Sequence, residues 1–163
     1  MSLHPPGFIE PCLPTGSRTA PTGPQWAYEI KHDGFRFICH RDGERVRVFS
    51  RTGHEWGAQL PAILRALPVR SVILDGEGVI CGPDGVSDFD RMRAVFSRKG
   101  SPDVFLYAFD VLELDGRDLR AQAWDARHAA DPTSGSLPRR PPLVGAHCGY
   151  GRRRLPTGMC HGA

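Results

Sequence analysis

Lysine is scarce in this 163-residue chain: two residues, Lys31 and Lys99, stand against nineteen arginines. Arginine would serve any role that needs charge alone. A lysine amine, by contrast, can lose its proton and become a nucleophile. Long apolar runs are also missing, and none approaches the roughly 18 residues of a membrane span. The start, MSLHPPGFIEPCLP, has neither the basic leader nor the apolar stretch of a secretory signal, so the expected location is cytoplasmic, with no membrane partner. Cysteine pairs are absent too. Cys12, Cys39, Cys81, Cys148 and Cys160 are odd in number and widely spaced, with no CxxC and no Cys/His cluster, which argues against a zinc site and for free thiols.

What is present suits one soluble domain. Hydrophobic residues make up 40% and charged residues 24%, an ordinary globular balance. The net charge of +3 is unevenly spread: residues 1–120 hold 15 basic and 16 acidic side chains, residues 121–163 six and two. The front of the chain therefore has no basic stripe of the kind that grips nucleic-acid phosphates.

Residues 1–25 are rich in Pro, Gly, Thr and Ser and read as an extended lead-in. From Trp26 the alternation of strands begins, and it puts Glu29 and Lys31 on one face before His32-Asp33-Gly34 turns the chain. FRFICH (35–40), RDGE and RVRVFS (45–50) predict a hairpin. Leu60, Ile63, Leu64 and Leu67 repeat at helical spacing. SVILDGEGVIC (71–81) predicts one buried strand or two, with a glycine bend. Ser87 or Asp88 can cap a helix presenting Phe89, Met92 and Phe96, and VFLYAFDVLEL (104–114) is a long strand. Hairpins with interspersed helices predict an α+β domain with mainly antiparallel sheets over residues 26–120. Residues 121–163 lack Ile, Phe, Glu and Lys but hold six Arg, five Pro and six Gly. They read as a disordered basic tail, or as the out-of-frame translation of a GC-rich gene.

Lys-x-Asp-Gly-x-Arg, here Lys31, Asp33, Gly34 and Arg36, resembles the first motif of the covalent nucleotidyltransferases: ATP-dependent DNA ligases, RNA ligases and mRNA capping enzymes. SRTG (50–53), LDGEGVI (74–80) and FLYAFDVLELDG (105–116) follow in the family's order. Together with the lead-in PPGFIEPCLPT, they are most similar to the adenylation domain of bacterial end-joining and repair ligases, an ATP-grasp-like fold. The resemblance implies ATP and Mg2+ as cofactors and nicked double-stranded DNA as substrate, with a DNA-end-binding protein as a further partner. It implies that Lys31 attacks the α-phosphorus of ATP to give lysyl-AMP, and that Glu29 accepts a hydrogen bond from the adenine amino group. Arg36 and Arg51 would hold ribose and phosphate, Glu77 a ribose hydroxyl or the metal, and Phe109 would stack on the purine.

Asp110 is expected on the opposite strand face from Phe109, tying down the sheet. The family's later motifs carry a metal-binding glutamate and phosphate-gripping lysines, and after Arg120 there is neither residue type. The chain is thus expected to carry the N-terminal half of the adenylation site. Two readings stay open: a ligase bearing the nucleophile, and an inactive remnant that at most binds nucleotide.

Overall fold

The computed structural model describes residues 7–24, 26–29, 31–56, 64–96, 104–132 and 151–154. Along them run β1 (Trp26–Glu29), β2 (Phe35–Asp42), β3 (Arg45–Ser50), β4 (Ser71–Ile80), α1 (Phe89–Phe96), β5 (Val104–Leu114), β6 (Arg117–Asp118), α2 (Trp124–Ala129) and β7 (Gly151–Arg154). Five strands form an antiparallel sheet in the order β3-β2-β4-β5-β6, and β1 pairs antiparallel with β7. This is the mainly antiparallel α+β architecture that the alternating runs predict.

Asp-Gly turns set the hairpins. Asp42 still pairs with Arg45, so the loop between β2 and β3 is only Gly43 and Glu44. Gly43 has φ +56°, a conformation glycine adopts at little cost. Between β5 and β6, Asp115 and Gly116 both have positive φ, and the Asp115 carboxylate accepts the backbone N–H groups of Arg70 and Ser71 at 2.8 and 3.0 Å. That carboxylate ties the second hairpin to the start of β4. Residues 71–80 form one strand, and its register against β5 shifts at Ile73/Leu74 and at Asp75/Gly76. Such irregularities bend a sheet locally.

One face of the sheet forms the core. Phe37 and Cys39 of β2, Val48 of β3, Val72 and Leu74 of β4 and Val111 of β5 pack with Leu64, Leu67 and Met92. Met92 comes from α1, which starts as its sequence predicts: the Asp88 carboxylate accepts the Arg91 N–H at 2.9 Å and caps the helix. Of the other predicted helical stripe, Leu60 and Ile63 lie outside the described residues, while Leu64 and Leu67 are buried. On the opposite sheet face Ile38 and Phe49 are also buried. The lead-in covers them: the Phe8 ring meets Phe49 edge-on with centroids 5.6 Å apart. Cys12 in that segment is disulfide-bonded, which corrects the expectation of a free thiol, whereas Cys39 and Cys81 are free. Spacing alone carries no information about such pairing.

His40 lies on the same side as Phe49, its ring edge-on to Phe49 at 5.3 Å. Its Nε2 is buried with no hydrogen-bond partner among the described residues. Burial, helped by the charge of Arg47, lowers its pKa to about 4. Because the folded-state value is depressed, the unfolded chain binds the proton more readily between about pH 6.5 and 4. The stabilisation is complete above that window and is lost as pH falls through it. His40→Leu is expected to flatten the fall in melting temperature between pH 6.5 and 4, read from thermal scans of both proteins.

Structure continues past Arg120, where the domain is expected to end. Helix α2 presents Arg127, 5% exposed, to the sheet. Its Nε and Nη2 donate to the two carboxylate oxygens of Asp110 at 2.7 and 2.8 Å, and Nη1 donates to the Gln122 carbonyl. Asp110 therefore ties the sheet to α2. Among the described residues no helix is long and apolar enough to cross a membrane.

Candidate active site

The end of β1, the β1–β2 connection, the start of β2, the turn after β3, and the middles of β4 and β5 meet at one cleft of about 580 Å³. Glu29, Lys31, Arg36, Arg51, Glu77 and Phe109 all line it. These residues come from four stretches separated by as many as 80 positions. The antiparallel order of β2, β4 and β5 brings Arg36, Glu77 and Phe109 together. Arg36 pairs with Glu77 across β2 and β4, and Glu77 with Tyr107 across β4 and β5. The register shift at Asp75/Gly76 leaves Phe109 without a partner on β4, and from there Phe109 faces the cleft.

Lys31 is exposed, with its Nζ 3.4 Å from an Asp33 carboxylate oxygen and side-chain exposures of 57% and 62%. A surface pair of this kind contributes little, about 0–1 kcal/mol. Gly34 explains why the motif needs a glycine. A Cβ there would lie 2.2 Å from the Gly78 carbonyl oxygen and 2.7 Å from Val79 Cγ1. The backbone cannot back away without breaking the 3.0 Å bond from the Gly34 N–H to Glu77 Oε1. Gly34→Ala should cost roughly 1–3 kcal/mol as an overpacking substitution. Gly16→Ala, with nothing within 4 Å of the added carbon, should be near neutral; denaturant midpoints of the two variants check this.

Glu77 is half-buried, and burial raises its pKa above the usual carboxylate range, opposed by the Gly34 amide and by the charge of Lys31. It also serves as a structural acceptor through Gly34. Arg36 is more engaged than the motif suggests. Its Nε and Nη2 donate to the buried carboxylate of Asp75 at 2.8 and 2.6 Å, and Nη1 donates to the Cys12 carbonyl at 2.7 Å. Its guanidinium carbon sits 5.4 Å from the centroid of the Phe109 ring. Three of its five N–H donors are thus committed to holding the sheet and the lead-in together. Asp75 is the partner that sequence reasoning missed, since nothing local in LDGE specifies a bond to β2. Pro14, Ser50, Thr52 and Trp56 also line the cleft. Ser50 and Thr52 lie in the SRTG stretch and Pro14 in the lead-in PPGFIEPCLPT, whereas Trp56 carried no signal.

A family model described as "ATP dependent DNA ligase domain" matches residues 17–130. The chain belongs to the ATP-dependent DNA ligase family. The match reaches through α2, in agreement with the burial of Arg127. Among curated relatives, this ligase-family chain is 33% identical over 127 residues to a multifunctional non-homologous end joining protein LigD of Pseudomonas aeruginosa, covering 76% of this chain and 15% of that protein. It is 39% identical over 127 residues to the LigD protein of Mycolicibacterium smegmatis, covering 75% and 16%. A probable DNA ligase of Anaeromyxobacter is 38% identical over 132 residues, covering 72% and 26%. The chain therefore spans between about a sixth and a quarter of the length of these relatives. Of solved structures, the ligase domain of Mycobacterium tuberculosis LigD superposes with a TM-score of 0.52 at 36% identity, over 65% of this chain and 36% of that one. A mycobacterial DNA ligase D complexed with ATP and MES gives 0.50 at 32%, over 65% and 35%.

Proposed function

We propose that this chain is the nucleophile-bearing part of an ATP-dependent DNA ligase, acting in DNA repair and recombination. The observation that carries the reading is the convergence of six motif residues from four separate stretches on one cleft. In the first step the Lys31 amine, having shed a proton to solvent, attacks the α-phosphorus of ATP. An N–P bond forms, the P–O bond to the β-phosphate breaks and pyrophosphate leaves, and the nitrogen gives up a second proton to solvent to become the phosphoramidate. Glu29 accepts from the adenine amino group and Phe109 stacks on the purine. Arg51 and the two uncommitted donors of Arg36 meet ribose and phosphate. AMP then passes to the 5′-phosphate of a DNA nick, and the 3′-hydroxyl displaces it and seals the strand.

Among the described residues no group of three or more His, Cys, Asp or Glu is arranged to hold a metal. Glu77 stands alone. That fits Mg2+ delivered with the nucleotide, which is commonly held by one or two carboxylates together with substrate phosphates. Mg2+ so bound would offset phosphate charge. The end-joining names of the relatives support DNA ends as the setting and a DNA-end-binding protein as a partner, and the folded unit is proposed to extend to at least residue 130.

ATP labelled on the α-phosphate, incubated with Mg2+ and the 163-residue chain, should leave label on the protein that is released by acid, as a phosphoramidate is, and kept in alkali. Label carried over from the γ-phosphate instead would contradict nucleotidyl transfer. The engagement of Arg36 by Asp75 favours the second reading, nucleotide binding without chemistry; retention of ATP with no covalent label would support it.

A further inference from the structure

The Lys31 side chain is 57% exposed, and the three residues after it are each fixed by a different part of the chain. The His32 ring stacks on Tyr107 of β5, with centroids 4.0 Å apart and planes within 6°. The Asp33 backbone N–H donates to Ser87 Oγ at 3.1 Å, a contact across 54 residues. The Gly34 N–H donates to Glu77 at 3.0 Å. Tyr107 and Glu77 are directly paired across β4 and β5, so the stack and the Gly34 bond grip the loop from one spot on the sheet.

We propose that Tyr107 and Ser87 are positioning residues, which hold the His32-Asp33-Gly34 loop so that the backbone of Lys31 aims its amine into the cleft. With His32 docked on Tyr107, the adjacent Lys31 lines the cleft together with Glu29, Arg51 and Phe109. Burial lowers the pKa of His32, so two neutral rings stack at neutral pH, in an arrangement aromatic pairs favour when offset. A long, exposed lysine reaches an attacking geometry only if its Cα is fixed, and a misplacement of about 1 Å can cost 100-fold in rate. Neither Tyr107 nor Ser87 lines the cleft, so neither is placed in contact with the nucleotide.

This inference rests on Lys31 being the nucleophile, and its test separates the two ideas. Tyr107→Leu, Tyr107→Phe and Ser87→Ala are made in the full chain. Two quantities are measured: adenylate formation against ATP concentration, and backbone amide exchange at Asp33 and Gly34 without ATP. Tyr107→Leu should lower the maximal rate by about 10- to 100-fold, with half-saturation by ATP changed less than about twofold, and should speed exchange at Asp33 and Gly34 while β4 and β5 stay protected. Ser87→Ala should speed exchange at Asp33 and lower the rate less. Tyr107→Phe, which keeps the stacking ring, should match the wild type. A wild-type rate and wild-type exchange in Tyr107→Leu would overturn the proposal. So would loss of protection throughout β4 and β5, or a Tyr107→Phe variant as slow as the leucine. Should the wild type form no adenylate, the nucleophile reading fails, and the exchange measurement still decides whether Tyr107 and Ser87 hold the loop.

Discussion

Arg127→Ala is expected to lower the stability of the chain by about 3–5 kcal/mol, the range seen when one partner of a buried ion pair is removed. Both side chains are nearly enclosed, at 7% exposure for Arg127 and 9% for Asp110, and the pair is bidentate. Without the guanidinium, the Asp110 carboxylate would remain buried on β5 with no compensating charge, and the Gln122 carbonyl would lose a donor. Replacing both partners should hurt far less, because well-packed apolar residues commonly substitute for a buried pair at little net cost. Arg127→Met with Asp110→Leu should therefore recover much of the loss. In thermal unfolding, the single variant should melt roughly 10–20 °C lower for a domain of this size. An unchanged midpoint would mean that α2 is not part of the folded unit, and that the domain ends near Arg120 after all.

That helix marks where the sequence stopped being informative. The hairpin at Gly43 and the long strand from Val104 to Leu114 were legible, because turn glycines and an apolar run bounded by a turn are local signals. The cap at Asp88 was legible for the same reason. Helix α2 was hidden, since its segment has no Ile or Phe, and its buried contact is made by an arginine in a stretch whose composition reads as a solvated tail. β7 was hidden by the same arginine-rich composition, and the disulfide at Cys12 by the lack of any pairing signal. The site divides in a similar way. Motif order named six residues, and the fold gathers all six into one cleft. Spacing could not say that Arg36 is bound by Asp75, or that His32 rests on Tyr107, because each bond joins residues about 40 to 75 positions apart.

The other large effect concerns Lys31. Lys31→Ala and Lys31→Arg should both abolish adenylate formation: alanine removes the amine, and arginine keeps the charge but cannot offer a neutral nitrogen near neutral pH. Neither should disturb the fold. The side chain is 57% exposed and its pair with Asp33 is a 3.4 Å surface contact, so stability should change by no more than about 0.5 kcal/mol. Activity that vanishes without a change in melting temperature separates a nucleophile from a structural lysine. The second lysine, Lys99, lies outside the described residues, which makes mapping the modified residue part of the test.

The most direct measurement is the intact mass of the purified chain after incubation with ATP and Mg2+, beside Lys31→Arg, followed by peptide mapping of any adduct. The wild type should gain one AMP, located on Lys31, and the variant none. An adduct of equal amount in Lys31→Arg, or one mapped to Lys99, would contradict this.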